Sequence, residues 1–200
     1  SEDTPGDGEV RSEAEQARYE RDELLAISRA LASERDIKKL LGLVLEKCRQ
    51  ITGADAGSVY VVEDDDAGKR LRFMLSQNDS VNVNFQEFTI PVDASSIVGR
   101  AVLDAKPINI PDLAQLDSGE ESGPRRFRHN RSFDEKTGYR ARSMLTVPML
   151  SAQDEVIGVI QLINKKRRGS RLLRAPADFD REVIPFDERS ETLAFALAAQ

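Results

Sequence analysis

Side chains with catalytic or ligating potential are few and scattered. One histidine, His129, stands in the charged run "RRFRHNR", with no apolar flank to hold it in a cleft. One cysteine, Cys48, falls on the apolar stripe of a helical pattern, where a thiol is as a rule packed and unreactive. Such a pair builds a zinc site only if carboxylates supply most of the ligands. No phosphate-cradling Walker loop, dinucleotide glycine fingerprint or nucleophile elbow occurs. Asp134 and Glu135 open the stretch "FDEKTGYRAR" (133–142), which runs into the apolar "SMLTVPM", yet no catalytic partner for them is evident elsewhere. The inventory points to binding rather than turnover. No catalytic residue, metal site or resident cofactor is expected.

Bulk composition narrows the classes further. Of 200 residues, 40% are hydrophobic and 32% charged, enough for a real core in a soluble chain. No apolar run approaches the roughly 20 residues of a membrane span, and the start lacks the order of a signal peptide. One cysteine excludes a disulfide framework and favours a reducing, cytoplasmic setting. A net charge of −6 argues against a nucleic-acid partner. No membrane contact by this segment is expected either.

Local patterns give the scaffold for any site. Residues 1–11 read as a disordered tail or an appended end. Residues 12–34 are charged, Ala-rich and free of Gly and Pro, which favours a helix, and Leu24, Ile27 and Leu31 sit at coiled-coil spacing. A second helix is expected over 36–52, capped by Asp36, with Ile37, Leu40, Leu41, Val44, Leu45, Cys48 and Ile51 on one buried face. Strands come next at 57–62 and 70–76 as a hairpin, then at 85–92. A short helix covers 95–106 and "PINIPD" is a brief extended piece. A last hairpin pairs 143–150 with 155–164, and a final helix is capped by Asp187. Strands in antiparallel pairs with helices at both ends predict an α+β fold. Residues 111–142 and 164–185 read as long connections, their basic runs as solvated faces offset by neighbouring acids.

Four stretches in this order, "GSVYVVEDD", "IPVDASSIVGRAVLDAKPINIPD", "FDEKTGYRARSMLTVPM" and "EVIGVIQLINKK", carry a resemblance to the GAF domain family, the small-molecule sensor modules of cyclic-nucleotide phosphodiesterases, cyclases and bacterial signalling proteins. It covers roughly 24–198, giving a helix over 12–34 for signalling or dimerisation and a domain over 35–200. "RLRFMLSQNDS" and "VIPFDERSE" look like GAF domains attached to bacterial HD-type phosphodiesterases or cyclases. The resemblance implies a central antiparallel sheet of about six strands. Terminal helices cover one face, and a ligand pocket roofed by a short helix and loops lies on the other. It implies that Ser58, Ser76 and Gln77 face a nucleobase and that Gln161 lies on the pocket floor. Ser96, Ile97, Val98 and Gly99 match the helix start whose N–H groups meet phosphate. Asp134, Thr137 and Tyr139 match the loop closing over the ligand. Asn164, Lys165, Phe186 and Glu191 match the family's structural signature, with Ser190 where an Asp is usual. Ala141 replaces a usual Thr, and Ser96 a glycine.

The resemblance thus implies a sensing module for a reversible ligand, cAMP before cGMP, that controls an output domain on the same chain and forms a homodimer through the terminal helices. The alternative is a GAF domain that only dimerises and relays. A methionine sulfoxide reductase of this fold needs several cysteines, and covalent bilin attachment needs one near the roof. Each matched residue also has a plain structural reading: Asp134 as a turn cap, Thr137-Gly138 as a corner, and Ser58 and Gln161 as sheet residues.

Overall fold

A computed structural model describes residues 7–83, 86–117, 138–168 and 171–199, apart from the side chains of 7–12, 30, 31 and 34. The chain divides into two units, Ser1–Leu40 and Leu41–Gln200. Helix α1 runs from Asp7 to Thr52. It therefore starts inside the stretch read as a tail and passes Asp36 without a break. The reason is local: Ser33-Glu34-Arg35-Asp36 contains neither Gly nor Pro, and one mid-helix Asp costs under about 1 kcal/mol in propensity. In the first unit α1 exposes Tyr19, Leu24, Leu25, Ile27, Ile37 and Leu40.

In the second unit α1 buries Leu45 and Cys48 completely, while Leu43 and Ile51 stay exposed, so the buried face is narrower than the spacing suggests. The helix stops at Gly53, whose φ of 75° is the left-handed turn that glycine adopts freely. The strands beyond it are β1 (Ala54–Asp65), β2 (Gly68–Asn78), β3 (Thr89–Pro91), β4 (Ile108–Ile110), β5 (Met144–Leu150), β6 (Val156–Lys166) and β7 (Val183–Ile184). They form one antiparallel sheet in the order β3-β2-β1-β6-β5-β4, with β7 against β6. β3 is shorter than the expected 85–92.

Two layers cover the sheet. On one face α1 and α4 (Glu188–Ala198) pack through Leu45, Cys48 and Ala194 onto Val59, Leu145, Val147, Ile160 and Leu162. On the other, α2 (Ile97–Asp104) sets Val98 and Ala101 against Leu71 and Val159, and Ile97 against Met144 and Ile110. The stretch 164–185, read as a connection, holds α3 (Pro176–Glu182) and β7. Two of its arginines share one acid: Arg168 meets Glu182 at 3.0 Å and Arg171 lies 3.7 Å from the same carboxylate oxygen. Among the described residues no helix is long and apolar enough to cross a membrane.

Candidate functional site

Side chains alternate between faces along a strand, so the register decides which residues meet beneath α2. Ser76 of β2 lies opposite Ser58 of β1, Ser58 opposite Gln161 of β6, and Gln161 opposite Thr146 of β5. One rung thus carries four hydrogen-bonding side chains in a row roughly 14 Å long, on the face that α2 covers. Gln161 Nε2 lies 3.3 Å from Thr146 Oγ1 and 3.2 Å from Met144 Sδ. Ser58 is only 7% exposed. The hydroxyls of Ser58 and Ser76 make no hydrogen bond to a described residue. Buried polar groups normally find partners, so a row of hydroxyls and an amide in an apolar face suits a polar ligand.

Sequence reasoning missed the aromatic group beside that row. Tyr60 stands two positions beyond Ser58 and shares its face. Its ring lies 5.1 Å from that of Phe73, and Phe88 stands 4.9 Å from Phe73. Phe88 is 42% exposed, so part of the group stays open. Burial pushes the Tyr60 hydroxyl up to about 12, keeping it a neutral donor. The signal was available as one aromatic on each strand of the expected first hairpin, with a third in the stretch expected as the next strand.

The start of α2 is built differently from the expectation. Ser96 has extended backbone (φ −110°), so the glycine usual there is not needed, and its Oγ accepts from Gly99 N at 3.0 Å. The Gly99 N–H is thereby occupied. Ile97 and Val98 bury their side chains in the two cores under α2, leaving only their backbone N–H groups, which have no intrahelical acceptor in a first turn.

Two expected contacts point elsewhere. Gln77 lies on the opposite face from Ser76: its Oε1 accepts from Arg49 Nη1 at 2.9 Å, and its Nε2 donates to the Gly42 carbonyl at 3.0 Å. It fastens α1 to the sheet and does not face a base. Tyr139 is buried against Phe179, with its hydroxyl donating to Asp55 Oδ2 at 2.8 Å. Asp134 and Thr137 lie outside the described residues. Ala141 packs against the cluster of Ile97, Ile110, Leu113 and Met144.

The signature residues hold the chain entering β5. Asn164, at φ 59°, accepts from Arg142 N (2.7 Å) and Ser143 N (3.3 Å) and donates to the Arg140 carbonyl (2.8 Å). Lys165 Nζ donates to the Thr52 carbonyl at the end of α1 (2.6 Å) and reaches Ser190 Oγ (3.4 Å), rather than pairing with Asp187, Glu188 or Glu191. Phe186 is buried beneath α1 and α4. Glu191 lies beside a surface groove with Pro107 and Phe195.

The sequence pattern of the GAF domain family matches residues 36–200. This chain is a GAF domain. It is 27% identical over 155 residues to the dual 3',5'-cyclic-AMP and -GMP phosphodiesterase 11 of Drosophila melanogaster, covering 73% of this chain and 10% of that protein. It is 28% identical over 153 residues to the cGMP-specific 3',5'-cyclic phosphodiesterase of Drosophila erecta, covering 72% of this chain and 13% of that one. The GAF domain therefore spans about a tenth of the length of such relatives. Its fold is also that of a GAF domain/HD domain protein from Geobacter sulfurreducens, at a TM-score of 0.53 and 14% identity over 84% of this chain and 91% of that one. GAF domains are as a rule regulatory modules rather than catalytic ones.

Proposed function

We propose that this GAF domain is a sensor that binds a cyclic nucleotide, cAMP before cGMP, on the sheet face beneath α2. It would act on an output domain of the same chain and work in the cytoplasm, as its single cysteine suggests. The observation that carries the reading is the row Ser76–Ser58–Gln161–Thr146 set beside Tyr60, Phe73 and Phe88. Hydroxyls and an amide offer both donors and acceptors to a base edge, and aromatic rings offer a stacking surface worth about 1–3 kcal/mol per base. The N–H groups of Ile97 and Val98 are suited to the phosphate, since a helix start favours an anion. Relatives named for cAMP and cGMP add weight.

Binding would regulate by favouring one of two arrangements of the terminal helices. Calorimetry tests the reading directly. Ser58→Val and Phe73→Leu should each weaken cAMP binding roughly tenfold or more, since about 1.4 kcal/mol is a factor of ten. Unchanged affinity in both variants would move the ligand off this face.

A second reading is favoured by the Ser96 cap, which occupies the Gly99 N–H a phosphate would use. In it, the GAF domain dimerises and relays without a nucleotide. Absence of cAMP and cGMP binding at millimolar concentration selects it.

A further inference from the structure

Near the end of α1 the sheet holds a group of charges that neither the polar row nor the apolar cores use. Asp55 is completely buried. One of its oxygens accepts from the Tyr139 hydroxyl, and the other accepts from Ser80 Oγ at 2.8 Å, with Lys166 Nζ 2.9 Å from that second oxygen. Ser80 Oγ in turn accepts from Leu173 N at 2.8 Å. Arg49, in the last turn of α1, donates to the Asp55 carbonyl (3.0 Å) and pairs with Asp79 Oδ1 (2.5 Å). The second oxygen of Asp79 lies 3.7 Å from Lys166 Nζ. Two carboxylates and two cations thus join the chain entering β5, the segment at Leu173, both central strands and α1.

Stability is a weak reason for such a group. A buried ion pair can often be replaced by packed apolar residues at no loss, whereas removing one partner is costly. A network of this kind is costly to leave partly satisfied, and it runs from the Tyr139 hydroxyl to Arg49 at the end of α1. Tyr139 stands in one cluster with Ala56 and Ile163. Those residues are two positions along their strands from Ser58 and Gln161, on the same face, roughly 7 Å away. A ligand on the row would lie one side chain from Tyr139.

We propose that Tyr139, Asp55, Lys166, Asp79 and Arg49 form the link through which occupancy of the row reaches α1. Tyr139 is a positioning residue: its hydroxyl holds Asp55 in the arrangement that Lys166 and Arg49 read. The proposal rests on the sensor reading above, and its test separates the two.

Hydrogen exchange of the 200-residue chain is followed across residues 43–53, with and without saturating cAMP, in the parent and in Tyr139→Phe. Affinity of both is measured by calorimetry. The parent should show exchange in α1 altered at least about fivefold by cAMP, the lower end of usual coupling between sites. Tyr139→Phe should bind cAMP within about threefold of the parent yet lose that change. Ser80→Ala should lose part of it. Full transmission in Tyr139→Phe overturns the link. If the parent binds no cAMP, the sensor reading fails and the link is judged without ligand, by urea unfolding of Tyr139→Phe, Arg49→Met and the double variant. Effects of independent sites on the unfolding constant multiply to within about twofold. A departure of about fivefold or more supports the link, and independence overturns it. Arg49→Lys replaces Arg49→Met if the latter does not fold.

Discussion

Gly99 shows how little room a single position can leave. A Cβ built there would stand 2.1 Å from the Asp93 carbonyl oxygen and 2.8 Å from Ser96 Oγ. The first neighbour is backbone, so α2 itself would have to shift. Overpacking of this kind typically costs about 1–3 kcal/mol. Gly99→Ala is therefore expected to lower the urea midpoint by a corresponding amount and to weaken any ligand held at the start of α2. A variant as stable as the parent would show that α2 moves freely. Single residues were also where the sequence was hardest to read. Ser58, Ser76 and Gln161 were recognisable as one set, because their strands were. The resemblance puts Gln77 on the same face, but adjacent strand residues face opposite ways, so only one of Ser76 and Gln77 can join Ser58. Asp55, Lys166 and Arg49 carry no spacing signal at all. They meet only after β1, β6 and α1 are assembled.

Whole elements were more legible, because they depend on local periods and caps. Both hairpins and α2 lie where their patterns indicate, and α4 begins at the expected cap, with Asp187 Oδ1 accepting from Ser190 N at 2.8 Å. Two boundaries were lost for opposite reasons. α1 ran through a weak cap signal because nothing there forbids helix. α3 went unread inside a basic stretch, although Pro176 in its first turn and Asp178, whose carboxylate accepts from Ala175 N at 2.9 Å, are start signals. The Asp187 cap gives a prediction with a definite sign. Its hydrogen bonds from Ser190 hold the carboxyl below the usual 3.8. The folded value is thus lower than the unfolded one, so the cap's contribution is present above about pH 4 and is lost as pH falls through the folded value. Asp187 is exposed, so solvent screens the effect, and Asp187→Ala should cost about 0.5–1 kcal/mol at pH 7. Urea titrations at pH 7 and pH 3 should show the gap between variant and parent closing at the lower pH. A gap that does not narrow at all between pH 7 and pH 3 would assign the loss to something other than the charged cap.

At the scale of the molecule, the unexplained feature is the apolar surface of α1 between residues 19 and 27. Leu24 is 68% exposed and Ile27 57%, on a helix whose other residues there are mostly charged. A stripe of that kind on an otherwise charged helix marks an interaction surface, and the spacing of Leu24 and Ile27 is that of a two-helix seam. We propose a second copy of the same helix as the partner, which would give a regulatory domain two ends to act on together. Residues that close such a seam bury about 1.5–3 kcal/mol of apolar side chain each. Replacing both by charge in both chains, with Leu24→Glu and Ile27→Glu, should therefore weaken self-association by at least about a hundredfold, or roughly 3 kcal/mol. The second unit has its own core between Leu45 and Phe186, so the near-ultraviolet signal of its aromatic residues should survive the change. Light scattering across concentrations decides the matter. A parent chain that stays monomeric at high micromolar concentration removes the second copy as the partner, and a double variant that still dimerises places the seam elsewhere.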